Sequence, residues 1–140
     1  FWTGDGRYFC FNDIFDGQMS GGGIGALLGL SLRHSSYEPT RYACIWDSKQ
    51  DSLTRVKNAF VVAAGPAPGS LLLVEIDTRA ESPKPILCVR HAATGQEWTP
   101  QVESQDSFVC ARDNYAVYAR PRPDGGATLR LVELAMPGQR

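Results

Sequence analysis

Apolar residues recur mainly at every second position along this chain, the spacing that places side chains on one face of a β-strand. In segment 24–32 the apolar residues at 24, 26, 28, 30 and 32 share one face, with glycine and serine opposite and Leu27 as the exception. Segments 59–64 and 71–76 are shorter runs of apolar or β-branched residues. This pattern predicts a protein built mainly from strands.

The connections between these segments have the composition of hairpin turns. Gly-Pro-Ala-Pro-Gly at 65–69 joins segments 59–64 and 71–76, and Ala-Thr-Gly-Gln at 93–96 joins 85–91 and 97–102. A third loop, Pro-Arg-Pro-Asp-Gly-Gly at 121–126, lies between 115–120 and 127–134 and contains Asp-Gly, a strong hairpin signal. The sequence therefore predicts antiparallel strands connected by hairpins.

Helical signals are weak. Segment 48–57 is polar with Leu53 and Val56 three positions apart, which fits either one short helical turn or a surface loop. The nine prolines and fourteen glycines fall at strand-sized intervals. These features predict a single all-β domain over residues 1–140, an antiparallel sandwich or partly open barrel built from hairpins.

The composition narrows the functional classes. With 43% hydrophobic and 21% charged residues, the chain is typical of a globular domain and contains no apolar run long enough for a membrane-spanning helix. Its net charge of −1 argues against a nucleic-acid partner, for which a basic surface is expected. No cofactor or metal site is predicted, because neither the cysteines nor the histidines have the spacing of known ligand motifs.

The four cysteines are widely spread, without any C-x-x-C pair, at positions Cys10, Cys44, Cys88 and Cys110. An even number of dispersed cysteines favours two disulfides and an oxidising compartment, with Cys10–Cys44 and Cys88–Cys110 as the preferred pairing. The alternative is four reduced, buried thiols that pack as small hydrophobic groups. The chain begins Phe-Trp-Thr, from which we expect an exported protein whose targeting segment has been removed.

The stretch Ser-Gly-Gly-Gly-Ile-Gly-Ala at 20–26 contains the outline of a dinucleotide-binding loop, G-x-G-x-x-A. That motif needs a strand before the glycines and a helix after them. Here a turn-like segment precedes them and a pattern of period two follows, so the nucleotide interpretation is rejected. Two interpretations stay open: a bend required by close packing, and a protruding loop that contacts a partner.

Catalytic motifs are not evident. His34 and His91 are isolated, and no G-x-S-x-G segment occurs. Acidic residues at predicted strand ends, Asp13 with Asp16 and Asp47 with Asp51, are more typical of capping and solubility than of glycosidase chemistry. The protein is therefore not expected to be an enzyme, and a small hydrolase that uses one of the histidines is the weakest of three hypotheses. A carbohydrate- or ligand-binding β module with Trp2, Tyr37 and Trp98 is the second.

The four dispersed cysteines, the strand-rich pattern and the segment Phe-Asp-Gly-Gln-Met-Ser-Gly-Gly-Gly together resemble periplasmic inhibitors of cell-wall hydrolases. More closely, the chain is similar to immunity proteins that neutralise type VI secreted muramidases or amidases. The resemblance implies a bacterial, periplasmic or otherwise exported protein that inserts loops into the substrate groove of a peptidoglycan hydrolase. A lipid anchor on the removed N-terminal segment is compatible with this picture.

On this first hypothesis the protein partner is bound by two neighbouring segments. The first is the loop 16–23 and the second the turn 33–38, where Tyr and Arg are side chains enriched at binding hot spots. The predicted contact residues are Asp16, Gln18, Ser20, Gly21, Gly22, Gly23, Arg33, Tyr37 and Glu38.

Overall fold

A computed structural model describes residues 1–15, 40–76 and 84–135, and every structural statement below concerns these ranges. They contain ten strands and no helix, so the all-β prediction is confirmed for this part of the chain. Within the described ranges, no helix exists that is long and apolar enough to cross a membrane. The strands are β1 (Tyr8–Phe15), β2 (Thr40–Asp47), β3 (Ser52–Lys57), β4 (Ala59–Ala64), β5 (Ser70–Ile76), β6 (Pro85–His91), β7 (Glu97–Trp98), β8 (Ser107–Arg112), β9 (Tyr115–Pro121) and β10 (Ala127–Glu133).

The strands form three antiparallel sheets, none of which closes into a barrel in the described part of the chain. The N-terminal sheet has the order β1-β2-β3, the central sheet β4-β5-β6-β7 and the C-terminal sheet β8-β9-β10. Each sheet is a run of strands that are consecutive in the chain, as the hairpin loops predicted. The loop 65–69 connects β4 to β5, and the Asp-Gly loop connects β9 to β10.

The central sheet is covered on both faces. Leu71 and Leu73 pack towards the N-terminal sheet, in a cluster that includes Tyr8 and Ile45. Their neighbour Leu72 packs on the opposite face with the C-terminal sheet; the other members of that cluster are Val74, Leu87, Val89, Ala116, Tyr118 and Leu134. A strand buried on both faces has no polar side to present, which explains the continuous run Leu-Leu-Leu-Val in β5.

One strand was not predicted from the sequence pattern. Segment Ser52–Lys57 is neither a helical turn nor a loop but strand β3, paired with β2 along its whole length. It is an edge strand whose side chains are nearly all exposed, and only Val56 packs against the core. Because most of its positions face water, its composition is polar and the alternation that marks a half-buried strand is missing.

The predicted disulfides are wrong. All four cysteines are free thiols in the structure. The register of β1 and β2 pairs Cys10 with Ile45 and Cys44 with Phe11, so the two cysteine side chains point to opposite faces of the N-terminal sheet. Cys88 lies in the cluster between the N-terminal and central sheets, whereas Cys110 is exposed on the C-terminal sheet. Neither preferred pair can form across a sheet, so three of the cysteines act as buried hydrophobic groups.

Candidate functional site

The contact residues predicted from the sequence cannot be placed. Residues 16–39 lie outside the described ranges, and with them the glycine stretch and all nine predicted contacts, from Asp16 and Gln18 to Tyr37 and Glu38. The strand predicted at 24–32 and the turn at 33–38 lie outside them as well. Binding of a hydrolase through these segments therefore stays a prediction.

The described residues contain a large cleft between the central and C-terminal sheets. Its volume is about 790 Å³, and its walls come from the start of β6, the loop after β7, the start of β8 and the middle of β9. The apolar wall residues include Ile86, Leu87, Val102 and Tyr118. The volume is within the range of small-molecule sites, roughly 300–1,000 Å³.

Beside the cleft, the face of the C-terminal sheet that meets the central sheet changes from apolar to charged side chains. Ala116 and Tyr118 of β9 face the central sheet and belong to the core cluster. Two residues further along the same face is Arg120, and β10 places Arg130 opposite Tyr118. Charged side chains at these inward positions cannot be buried without partners, so apolar packing stops there.

Both arginines donate hydrogen bonds to one buried carboxylate, that of Asp106. The side chain of Asp106 is fully buried and accepts hydrogen bonds from Arg120 Nε at 2.8 Å and Nη2 at 3.1 Å, and from Arg130 Nη1 at 2.9 Å. The hydrogen bonds from Arg120 hold the pKa of Asp106 below its usual value. Because Asp106 lies at the end of the loop after β7, this network attaches the loop to the C-terminal sheet and fixes one wall of the cleft.

The rim of the cleft carries both signs of charge. Glu103 Oε1 lies 3.0 Å from Arg120 Nη2 and is partly exposed. Lys84 extends from the opposite wall and donates a hydrogen bond through Nζ to the carbonyl oxygen of Ser104 at 2.9 Å. Among the described residues around the cleft, the two arginines balance the two carboxylates, and Lys84 is the cation left at the mouth.

Tyr118 supplies a polar group beneath the apolar walls. Burial is the main cause that raises the pKa of its phenol to about 12, and the nearby Cys88 and Asp106 raise it further by smaller amounts. The hydroxyl is therefore neutral at physiological pH and able to donate or accept a hydrogen bond. Its ring packs edge-on against Phe108 with centroids 5.9 Å apart, which fixes its orientation.

A second group of polar side chains lies on the other face of the central sheet. Donor atoms of Glu75, Cys88 and Glu97 lie within 4.8 Å of one another, a set that is able to hold a metal ion. Burial raises the pKa of the Cys88 thiol to about 11 and also raises the pKa of Glu75. Glu97 is paired with the Arg90 guanidinium. Glu97 already has a cationic partner in Arg90, so this group is explained as a polar cluster at the edge of the core, in which Cys88 is buried and Glu97 exposed.

Candidate catalytic groups have structural partners. His91 Nδ1 accepts a hydrogen bond from the Thr94 amide at 3.4 Å in the turn before β7. Asp47 is paired with Arg7, and Asp51 accepts a hydrogen bond from the indole of Trp46 at 3.1 Å. His34 and Asp16 lie outside the described ranges. These contacts explain the positions of His91, Asp47 and Asp51 without a catalytic role for any of the three.

The aromatic platform predicted for carbohydrate is not assembled from its described members. Trp2 lies on the outer face of the N-terminal sheet, in contact with Phe9 and Trp46. Trp98 packs instead against the cluster between the central and C-terminal sheets. The two indoles are therefore on different layers, and Tyr37 lies outside the described ranges.

None of the cleft residues was predicted from the sequence. The available signal was the alternation in β10, where Thr128 and Arg130 take the positions facing the central sheet while Leu129 and Leu131 take the opposite ones. The sequence alone does not say which of the two faces is inward. The inward position of Arg130 and the outward position of the two leucines are therefore visible only in the folded chain.

Comparisons with protein-family models, curated proteins and solved structures gave no match for this chain.

Proposed function

We propose that the protein is a non-enzymatic binding domain whose cleft between the central and C-terminal sheets takes a small amphipathic ligand. One observation carries the proposal: a cavity of about 790 Å³ with a mainly apolar lining and a few polar groups at its rim and floor. That combination is typical of ligand sites, in which apolar contact provides affinity and a few polar groups fix orientation. It supports the ligand-binding alternative from the sequence more directly than hydrolase inhibition.

The lining indicates the ligand's chemistry. An apolar body fits between Ile86 and Val102, which are partly exposed and lose water when a ligand covers them. A hydrogen-bonding group at the inner end of the ligand meets the neutral hydroxyl of Tyr118. An anionic group at the outer end meets Lys84, the cation that the carboxylates of the described rim do not balance.

The proposal is tested with 8-anilinonaphthalene-1-sulfonate, a fluorescent probe that has an apolar body and one sulfonate. We expect saturable binding at one site with enhanced fluorescence. Val102→Glu places a charge on the apolar wall and should weaken binding by at least about tenfold, the cost of one unpaired polar contact. Lys84→Gln should weaken binding of the anionic probe. It should leave unchanged the binding of the neutral analogue, which lacks the sulfonate.

The matched control is Val62→Glu. Val62 is 38% exposed on β4, outside the cleft, and Val102 is 36% exposed. Equal binding by the Val102 and Val62 variants would show that the probe binds elsewhere and would overturn the proposal. Thermal unfolding of both variants without probe confirms that they are folded.

A further inference from the structure

The outer face of the C-terminal sheet has the apolar composition of a buried face. Since Ala116 and Tyr118 face the central sheet, Val117 and Ala119 face outward, and the register pairs them with Leu131 and Leu129 of β10. These two leucines are 67% and 68% exposed. The inward face of the same strand carries Thr128 and Arg130. An alternation that directs leucines to solvent and an arginine inward indicates a sheet with a second apolar neighbour.

The outer face of the N-terminal sheet is also apolar. Tyr8 and Cys10 face the central sheet, which turns Phe9 and Phe11 outward, beside Trp46 of β2. Trp2 covers part of this face through its contacts with Phe9 and Trp46. Leu53 and Phe11 are exposed on it. Both ends of the three-sheet stack therefore present apolar faces.

The sheets already stack in one repeated order. The first strand of each sheet, β1, β4 or β8, is an edge strand. β4 packs against β1 and β2, and β8 packs against β4 and β6, so each first strand contacts the first strand of the preceding sheet. A further sheet that continues this order on the C-terminal sheet places its first strand over β8.

A row of side chains across the outer face of the C-terminal sheet carries opposite charges at its two ends, and these charges indicate which sheet can stack on that face. Across its outer face, the register aligns Arg112 of β8, Tyr115 of β9 and Glu133 of β10. The row is basic at the first strand and acidic at the third. Arg112 is already 3.7 Å from Asp113, but both side chains are almost fully exposed, so that pair is weak and replaceable.

The N-terminal sheet carries the complementary row. Its register aligns Asp13 of β1, Tyr42 of β2 and Lys57 of β3 across the outer face. The row is acidic at the first strand and basic at the third. Each row lies near the C-terminal end of its first strand. Stacking first strand on first strand, in the same direction, therefore places opposite charges over each other at both edges.

We propose that the outer face of the C-terminal sheet binds the outer face of the N-terminal sheet of a second copy of this chain. In this contact Arg112 pairs with Asp13 of the second copy and Glu133 pairs with Lys57. Leu129, four residues before Glu133, then covers Leu53, four residues before Lys57, and Leu131 lies over Arg55. Two copies make this contact twice, which closes a ring of six sheets, within the roughly four to eight for which radially stacked sheets close. Closure limits assembly to a dimer, whereas an open head-to-tail contact gives fibres.

The oligomeric state tests the proposal, measured by sedimentation equilibrium of the full chain over a range of concentrations. The expected species has twice the mass of one chain. Leu129→Glu, on one face, and Leu53→Glu, on the other, should each yield monomer. Mixing these two variants should restore a dimer, because one intact C-terminal face then meets one intact N-terminal face. Far-ultraviolet circular dichroism verifies that each variant is folded.

Charge reversal tests the pairing. Arg112→Asp and Asp13→Arg should each weaken the dimer roughly tenfold, since an attractive surface pair becomes repulsive at both contacts. The double variant should recover wild-type affinity. Arg122→Asp, in the β9–β10 loop away from both faces, is the control and should have no effect.

Three outcomes overturn the proposal. The first is a wild-type chain that stays monomeric at every concentration. The second is a dimer that Leu129→Glu dissociates and Leu53→Glu leaves intact, which indicates two C-terminal sheets face to face. The third is growth into long polymers, which indicates an open contact. Alkylation of Cys110 adds an independent readout, because this thiol lies in the row of Leu131 and Val117 and should react more slowly in the dimer.

Discussion

Asn12 forms two hydrogen bonds with the backbone of Val61, and these bonds join two sheets. The Asn12 Nδ2 group donates to the Val61 carbonyl at 3.1 Å, and Oδ1 accepts from the Val61 amide at 2.7 Å. Val61 precedes a β-bulge in β4, the edge strand of the central sheet. The side-chain amide thus satisfies backbone groups that a neighbouring strand would otherwise bind.

Replacing Asn12 should destabilise the protein in a graded way. Asn12→Ala leaves both Val61 groups without their partner and should lower the free energy of unfolding by about 1–2 kcal/mol. Asn12→Asp keeps the acceptor but loses the donor, so its loss should be intermediate. Urea unfolding measures both variants, with Asn114→Ala in the exposed β8–β9 turn as control. Equal stability of the Ala variant and wild type would show that these bonds contribute nothing.

The pair Arg7–Asp47 should make stability depend on acid pH. Hydrogen bonds from Arg7, at 3.1 and 2.7 Å, lower the pKa of Asp47 to about 2. Because the folded-state pKa lies below the unfolded value of about 3.9, the stabilisation is complete above that value. It is lost as the pH falls through about 2.

The melting temperature measured from pH 7 to pH 2 tests this dependence. Wild type should exceed Asp47→Asn at neutral pH, and the difference should shrink between about pH 4 and pH 2. Asp124→Asn, in the exposed β9–β10 loop, serves as control and should follow wild type. A constant difference over the whole range would contradict the lowered pKa.

Thiol titration should distinguish one cysteine from the other three. Cys110 is exposed, whereas burial raises the pKa of both Cys10 and Cys88 to about 11 and also raises that of Cys44. At pH 8, and at concentrations low enough to keep the chain monomeric, one thiol of the native protein should react rapidly with a disulfide reagent. Four thiols should react after denaturation without reductant. Cys110→Ser should abolish the rapid phase. Fewer than four thiols in the denatured protein would indicate a disulfide.

The central sheet should depend on both of its neighbours. Leu72 and Leu73 are adjacent and fully buried, but they pack against the C-terminal and N-terminal sheets respectively. Either change to alanine should cost about 2–5 kcal/mol of unfolding free energy, the usual cost of a cavity in a packed core. Denaturant unfolding measures it, with Val62→Ala on the exposed side of β4 as control. A loss for only one leucine would show that one of the two interfaces is loosely packed.

Much of the strand arrangement was determined by the sequence itself. Glycine- and proline-rich loops and apolar runs are local signals, and they placed β4, β5, β6, β9 and β10 close to their observed bounds. The hairpin connections follow from the same loops, because short turns join antiparallel neighbours. The edge strand β3 was missed, since its exposed side chains carry no apolar alternation.

Only the tertiary structure decided which face of each strand is buried. Side chains alternate along a strand, so a sequence pattern separates two faces without saying which one meets the core. That choice put Cys10 and Cys44 on opposite faces and excluded the predicted disulfides. It also turned Arg120 and Arg130 towards Asp106, whose loop forms one wall of the cleft, and left Leu129 and Leu131 on the outer face. Packing between sheets joins residues distant in sequence, and no local pattern records it.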